Sequence, residues 1–332
     1  MRHGFLVLNK ERGLTSHQAV ARLRRIFGQS EAGHSGTLDP GATGVLVVGL
    51  GQATRFFPFL DERQKVYRAE IILGQVTDTQ DAYGQIIREQ REFIIGRDRL
   101  DQAVAHFTGE QDQVPPMFSA VKVGGQKLYD LARQGLEIKR QARRITVYCW
   151  EILSPQDCFA FRDKFTCEIT CSRGTYIRTL IHDLGEFLGC GAHMGGLIRL
   201  ASGDFKLETA VTLAQVEEYS QQGRLEELLV PLNTALRHLP SIQVEPEDVP
   251  KVRNGGKLSA RKYKLPESLS CAEALFEREA HPEVKAASDG ENRLGSLARV
   301  LDPCARLIAV AELKAVASHP YWQPVKVLKE FN

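Results

Sequence analysis

The most chemically loaded stretch of the chain is the loop from Gly33 to Gly44, GHSGTLDPGATG, which gathers His34, Asp39 and four glycines. Asp-Pro-Gly is also an ordinary turn sequence, in which the aspartate caps the backbone two residues on. Glycine-rich backbone beside a charged side chain, however, suits the close approach of a ligand. Two other segments carry candidates: KVYRAEI with Tyr67, and CSRGTYIRTL with Tyr176 and Arg178. Singly, a strand tyrosine reads as core packing and an arginine in a first helical turn as a surface cation. Together, an aspartate, an arginine able to hold it ionised and tyrosines able to stack on a base form a nucleobase pocket.

Other chemistries lack their residues. Gly49-Leu50-Gly51-Gln52-Ala53-Thr54 misses the third glycine of a dinucleotide loop and its βαβ setting, and no phosphate-loop lysine motif, HExxH or serine elbow occurs. Catalysis is therefore expected to run on a carboxylate, with no metal and no cofactor. The seven cysteines, spread from Cys149 to Cys304, do not form the dense framework of a small secreted domain and point to a reducing, cytoplasmic setting. Cys167 and Cys171 alternate with polar residues in KFTCEITCS, so both thiols are expected on the buried face of a strand rather than on zinc.

The elements that must position these residues follow from the hydrophobic pattern. A strand GFLVLNK opens the chain, and Thr15-Ser16 begins a helix with Val20, Leu23, Ile26 and Phe27 on its apolar face and Arg22, Arg24 and Arg25 on its polar one. After the glycine-rich loop come the strand VLVVGLG and a helical stretch from Ala53. Strands are expected at VYRAEIIL, ITVYCWEIL and KFTCEITCS, and a helix with Ile177, Leu180, Ile181 and Leu184 facing inward. The pattern is α+β, without regular βα alternation, which argues against a doubly wound sheet.

A chain of 332 residues is long enough for two domains, and its 43% hydrophobic and 25% charged residues exclude disorder and fibre. Three prolines and an acidic cluster in LPSIQVEPEDVP place a seam at residues 239–250, dividing 1–240 from 241–332. Beyond it, LARVLDPCARLIAVAEL reads as a hairpin turning at Asp-Pro and PVKVLKEF as a closing strand, together a small β-barrel. Residues 265–292, with seven acids against two bases, read as a surface insertion. The apolar runs Phe5–Leu8 and Val45–Leu50 fall far short of the roughly 20 residues of a membrane helix, so neither a span nor a signal peptide is expected.

The net charge of +2 is unevenly spread: residues 1–28 hold six Lys/Arg against one acid, and residues 122–144 seven against two. The second stretch interleaves bases with Tyr129 and glycines, as a flap touching a polyanion would. Lys10, Arg22 and Arg25, and on the flap Lys122, Lys127, Lys139, Arg140, Arg143 and Arg144, are the expected RNA contacts.

GHSGTLDPGATGVL, KVYRAEIILGQVTDTQDAYG, PPMFSAVKVGGQKLYDLARQG and CSRGTYIRTLIHDLGEFLGCGAH, in this order, resemble the bacterial TruB family of tRNA pseudouridine synthases from about Gly4 to Leu200. The resemblance implies a mixed, largely antiparallel sheet flanked by helices, followed by a PUA-like RNA-binding β-barrel. It implies isomerisation of a uridine at tRNA position 55, with Asp39 as catalytic aspartate, Arg178 paired with it, and Tyr67 beneath the target uracil. His34 would help to flip the base, Tyr176 and Leu197 would shape the pocket, and residues 121–144 would be the flap that closes over the RNA. The substrate tRNA is the one partner implied, with a monomer as the default. One departure is Lys10-Glu11-Arg12-Gly13, where the family usually has a proline after the lysine. Asp39 has two possible points of attack, C6 of the base or C1′ of the sugar. Two rival readings stay open at this stage: an RNA-folding protein, and a nucleoside glycosidase, which would want a second carboxylate near Asp39.

Overall fold

The computed structural model describes residues 1–119, 122–123, 125–132, 134–136, 138–265, 295–316 and 319–329. Its larger sheet has nine strands, and the main path runs Gly4–Lys10, Thr43–Leu50, Ala192–Ser202, Gln64–Leu73, Lys164–Ser172, Arg143–Ile152, Gly109–Gln113. Every pairing along it is antiparallel except that of Thr43–Leu50 with Ala192–Ser202, so the sheet is mixed and largely antiparallel, as expected. Strand Gln64–Leu73 buries Lys65, Tyr67, Ala69, Ile71 and Leu73 in strict alternation, and its neighbour buries Phe165, Cys167, Ile169 and Cys171. This period of two explains why both cysteines are in the core, where burial pushes their thiols up to about 12.

Helix Ser16–Phe27 starts from Thr15, whose side chain closes a capping box with Gln18, and ends at Gly28 in the left-handed conformation (φ 63°). It buries Ala19, Val20, Leu23 and Phe27, while Arg22 and Arg25 stay exposed on the opposite face. Helix Ile177–Leu188 buries Ile177, Leu180, Ile181 and Leu184 as its apolar stripe required. The stretch expected as a helix from Ala53 is instead a 3-10 helix, Gly51–Phe59. Pro58 lies inside it and offers no backbone N–H for a continued ladder.

Ser241–Gln243 opens a second sheet of five strands, which curls as a half-barrel with Leu258–Ser259, Leu297–Leu301, Leu307–Val316 and His319–Val327. Asp302 turns the hairpin between its third and fourth strands: its Oδ1 accepts from the backbone N–H of Cys304 and of Arg306, both at 2.9 Å. The strand expected over PVKVLKEF begins earlier, at His319, and ends at Val327. Leu307 and Val310 share a hydrophobic cluster with Phe5, Val7 and Val45 of the larger sheet. Arg299 adds a polar tie, donating to the Leu239 carbonyl at 2.9 Å and to Asn233 Oδ1 at 2.8 Å. The acidic stretch read as an insertion, apart from Leu265, lies outside the described residues. No helix among the described residues is long and apolar enough to cross a membrane.

The parallel pairing on the main path of the larger sheet, Ile198 with Thr43 and Arg199 with Gly44, fixes where the glycine-rich loop rejoins the sheet. Gly44 has φ +98°, and a Cβ there would run into the Arg199 backbone, with its nitrogen at 2.8 Å. Gly44→Ala should therefore cost on the order of 2 to 4 kcal/mol in a urea-unfolding experiment. A loss below about 0.5 kcal/mol would mean that the two strands can separate freely at this point.

Candidate active site

Three backbone clamps hold the loop that carries Asp39. Ser16, at the start of the first helix, accepts from the Leu38 N–H at 2.9 Å and donates to the Leu38 carbonyl at 3.1 Å. The Gly13 N–H donates to the Pro40 carbonyl at 2.8 Å. Arg199, 1% exposed, donates from Nη2 to the Gly36 carbonyl (2.8 Å) and from Nε to the Val45 carbonyl (2.7 Å). The Ala42 N–H closes the Asp-Pro-Gly turn on the Asp39 carbonyl at 3.0 Å. The turn reading thus holds for the backbone, but the side chain is turned to Arg178 instead of capping the backbone two residues on.

That carboxylate meets a buried guanidinium. Arg178 Nε lies 3.0 Å from Asp39 Oδ2; the arginine side chain is 6% exposed and the aspartate side chain 42%. The other arginine donors are also engaged: Nη1 donates to the Thr79 carbonyl (3.0 Å) and faces Asp81 Oδ2 (3.6 Å), and Nη2 donates to the Phe118 carbonyl (2.9 Å). Asp81 Oδ1 accepts from Thr79 Oγ1 at 2.7 Å and from the Tyr83 N–H at 3.0 Å. The result is an immobilised cation presenting a half-open carboxylate.

Tyr67 is buried directly across from Arg199 in the pairing of Gln64–Leu73 with Ala192–Ser202, and Leu197 faces Ala69 two positions away on the same side. Burial pushes the Tyr67 phenol up, against the pull of the neighbouring Arg199 guanidinium. Lys65 is buried next along this face, and burial, with Arg199 beside it, pushes its amine down to about 8. Tyr176 is half-buried at the head of its helix, where Gln113 receives its N–H (2.8 Å) and donates to its carbonyl (3.0 Å). His34 stands edge-on to His17 with ring centroids 5.1 Å apart. Its Nδ1 is buried without a hydrogen-bond partner among the described residues.

The expected cations behave less uniformly. Lys10 is a correction to the expected exposed cation: it is fully buried, and its Nζ donates to the carbonyls of Glu11 (2.9 Å) and Leu14 (2.8 Å), so it braces the turn after the first strand. Arg140 is half-buried and donates to the Pro115 carbonyl at 3.3 Å, while Arg144 lies 2.9 Å from Glu110 and 3.8 Å from Asp112. Arg22, Arg25, Lys139 and Arg143 are exposed. On the flap, Lys122–Val123 pairs with Gln126–Lys127 ahead of the short helix Leu128–Ala132, and the side chains of Lys122 and Lys127 lie outside what is described. Arg24 reaches back to the Ala32 carbonyl at 2.6 Å.

Asp81, Arg199 and Lys65 went unmarked in the sequence. Asp81 sits in a polar turn, where aspartate is commonplace, and a single lysine or arginine gives no local sign that it will be buried. The one group of acids among the described residues close enough to share a metal, Glu245, Glu247 and Asp248, is at the start of the second sheet. Lys262 Nζ already sits 2.5, 3.3 and 2.9 Å from the three carboxylates.

Residues 24–177 match the family model of the TruB family pseudouridylate synthase N-terminal domain, and residues 178–237 that of the tRNA pseudouridylate synthase B C-terminal domain. The tRNA pseudouridine synthase B of Geobacillus kaustophilus is 46% identical over 257 residues, 77% of this chain and 90% of its own length. That of Cupriavidus metallidurans is 40% identical over 318 residues, 96% of this chain and 93% of its own. A chain in the crystal structure of a Cbf5-Nop10-Gar1 complex superposes with a TM-score of 0.68 at 27% identity, over 98% of this chain and 84% of its own.

Burial of His34, with His17 and Arg199 nearby, pushes its imidazole down to about 4 from an ordinary 6.5. Between those values the unfolded chain binds a proton that the folded one refuses, so stability falls as pH drops from about 6.5 towards about 4. Denaturant unfolding from pH 7 to 4 should show a shallower loss in His34→Gln than in the unmodified protein. Parallel curves would mean that His34 titrates as an exposed histidine.

Proposed function

We propose, starting from a chain that belongs to the TruB family of pseudouridylate synthases, that it converts the uridine at position 55 in the T-loop of tRNA to pseudouridine, with Asp39 as nucleophile. The observation that carries this reading is the Asp39–Arg178 pair: a buried guanidinium, with an acceptor at each of its three nitrogens, fixes a carboxylate whose side chain remains 42% exposed.

The reaction breaks the bond from N1 to C1′, turns the uracil, and joins C1′ to C5; the C5 proton leaves and N1 takes one up. It needs a nucleophile, a base outside its stack, and a site that keeps the detached uracil. Asp39 supplies the first. Extruding the base costs a few kcal/mol, which stacking on Tyr67, at about 1 to 3 kcal/mol per base, offsets. Leu197 and Tyr176 bound the pocket, and His34, uncharged at neutral pH, can enter the space the base leaves without desolvating a cation.

Recognition by shape suits a structured loop. Arg22, Arg25 and Arg143 are the exposed cations we assign to phosphates, with the segment around residues 121–144 as flap. Arg140 and Arg144, held by Pro115 and by Glu110, would have to exchange these partners to reach RNA. We assign residues 241–332 to a second, PUA-like RNA-contacting domain, which the cleft lined by Lys257, Arg261, His319 and Tyr321 supports. A glycosidase is disfavoured, because Asp81, the carboxylate nearest the pair, is buried and already accepts from Thr79 and Tyr83.

The test is tritium release from an unmodified tRNA transcript labelled at C5 of uridine. Release without free uracil is the expected result, and free uracil would establish hydrolysis instead. Asp39→Asn should abolish release while keeping tRNA binding within about tenfold, since the amide preserves shape but not nucleophilicity. More than a few per cent residual activity would remove Asp39 from that role.

A further inference from the structure

Beside the pair that holds Asp39, the turn Thr77–Gly84 presents one large aromatic side chain to solvent. Tyr83 is 67% exposed. A single exposed aromatic needs no explanation in itself; its mounting is the informative feature. The Ala82 N–H donates to the Met194 carbonyl at 2.9 Å, the Met194 N–H to the Gln80 carbonyl at 3.1 Å, and the Gly84 N–H to the Asp81 carbonyl at 3.2 Å. The Tyr83 N–H is fixed on Asp81 Oδ1, and the same carboxylate faces Arg178 through its other oxygen. The backbone under the ring is therefore tied to strand Ala192–Ser202 and to the cation that holds Asp39.

The ring leans on the catalytic loop. It lies against Gly41, two residues after Asp39: a Cβ there would lie 2.7 Å from Tyr83 Cζ and 2.9 Å from its hydroxyl oxygen, so any side chain at this position would have to displace the ring. Contact is made through one edge of the ring, and the exposure of the residue leaves its faces open. An aromatic on an anchored turn, with open faces and beside the Asp39 loop, has the chemistry of a base-stacking platform.

We propose that Tyr83 stacks on an unpaired nucleobase of the substrate loop other than the target uridine, and so fixes the RNA strand beside Asp39. This rests on the function proposed above. Stacking tolerates any aromatic, so Tyr83→Phe and Tyr83→Trp should retain kcat/KM on a T-arm stem-loop RNA within about threefold. Tyr83→Ala should lose about 5- to 150-fold, the equivalent of one stacked base. Folding should be unaffected by a change at so exposed a position.

The decisive experiment replaces each non-target loop nucleotide of that RNA in turn by an abasic one and measures single-turnover pseudouridine formation with the unmodified enzyme and with Tyr83→Ala. The expected result is one position at which base removal slows the unmodified enzyme but leaves Tyr83→Ala no slower than it already is. Two results overturn the proposal: Tyr83→Ala at full rate, or a loss that adds to base removal at every position, as a purely packing role against Gly41 would produce. Absence of pseudouridine with the unmodified enzyme on intact RNA would instead bring down the functional reading itself.

Discussion

A guanidinium removed from water must find acceptors for its donors, and Arg178 meets that demand by drawing separate pieces of chain to one point. Leaving such a group without its partners costs several kcal/mol, so the cation acts as an assembly constraint as much as an electrostatic one. It stands on helix Ile177–Leu188 and reaches the glycine-rich loop at Asp39, the turn Thr77–Gly84 at Thr79 and Asp81, and the base of the flap at Phe118. The loop and the turn also have anchors of their own, at Ser16, Arg199 and Met194. Their common role as acceptors brings them to one point, and it leaves Asp39 as the member of the set whose carboxylate still opens outward.

A second layer of cations lies beneath. Arg199, Lys10 and Lys65 are all buried, and the first two are held by backbone carbonyls rather than by carboxylates. They pin the loop at Gly36 and the turn after the first strand while adding positive charge under the site, a setting that favours the approach of a polyanion. At the turn where the family's usual proline is absent, Lys10 ties the carbonyls of Glu11 and Leu14. Burial marks the cost of this arrangement on His34 and Lys65, both of which lose basicity.

How much of this was legible beforehand follows the physics of each residue. Period-two alternation put Cys167 and Cys171 on a buried face, residue type alone suggested the same for Tyr67, and capping and apolar spacing placed the two helices. Asp39 and Arg178 could be named, because a glycine-rich loop and an arginine at a helix start are local signals, although 139 positions separate them and only the fold brings them to 3.0 Å (178 − 39 = 139). Charge alone did not show that Lys10 is buried or that Arg140 and Arg144 already have partners, since sequence records that a residue is cationic but not which carbonyl or carboxylate it will find. Asp81, Arg199 and Tyr83 escaped for a related reason: their importance lies in long-range partners, which no local pattern encodes.

The central claim is that the planar, multiply anchored guanidinium of Arg178 orients Asp39 for attack. Lysine keeps the charge and loses the fork, so Arg178→Lys separates orientation from electrostatics. Single-turnover pseudouridine formation, measured alongside tRNA affinity, should fall by about two orders of magnitude in this variant with affinity nearly unchanged. A rate equal to that of the unmodified enzyme would contradict the account, because a point charge would then serve as well as the anchored plane.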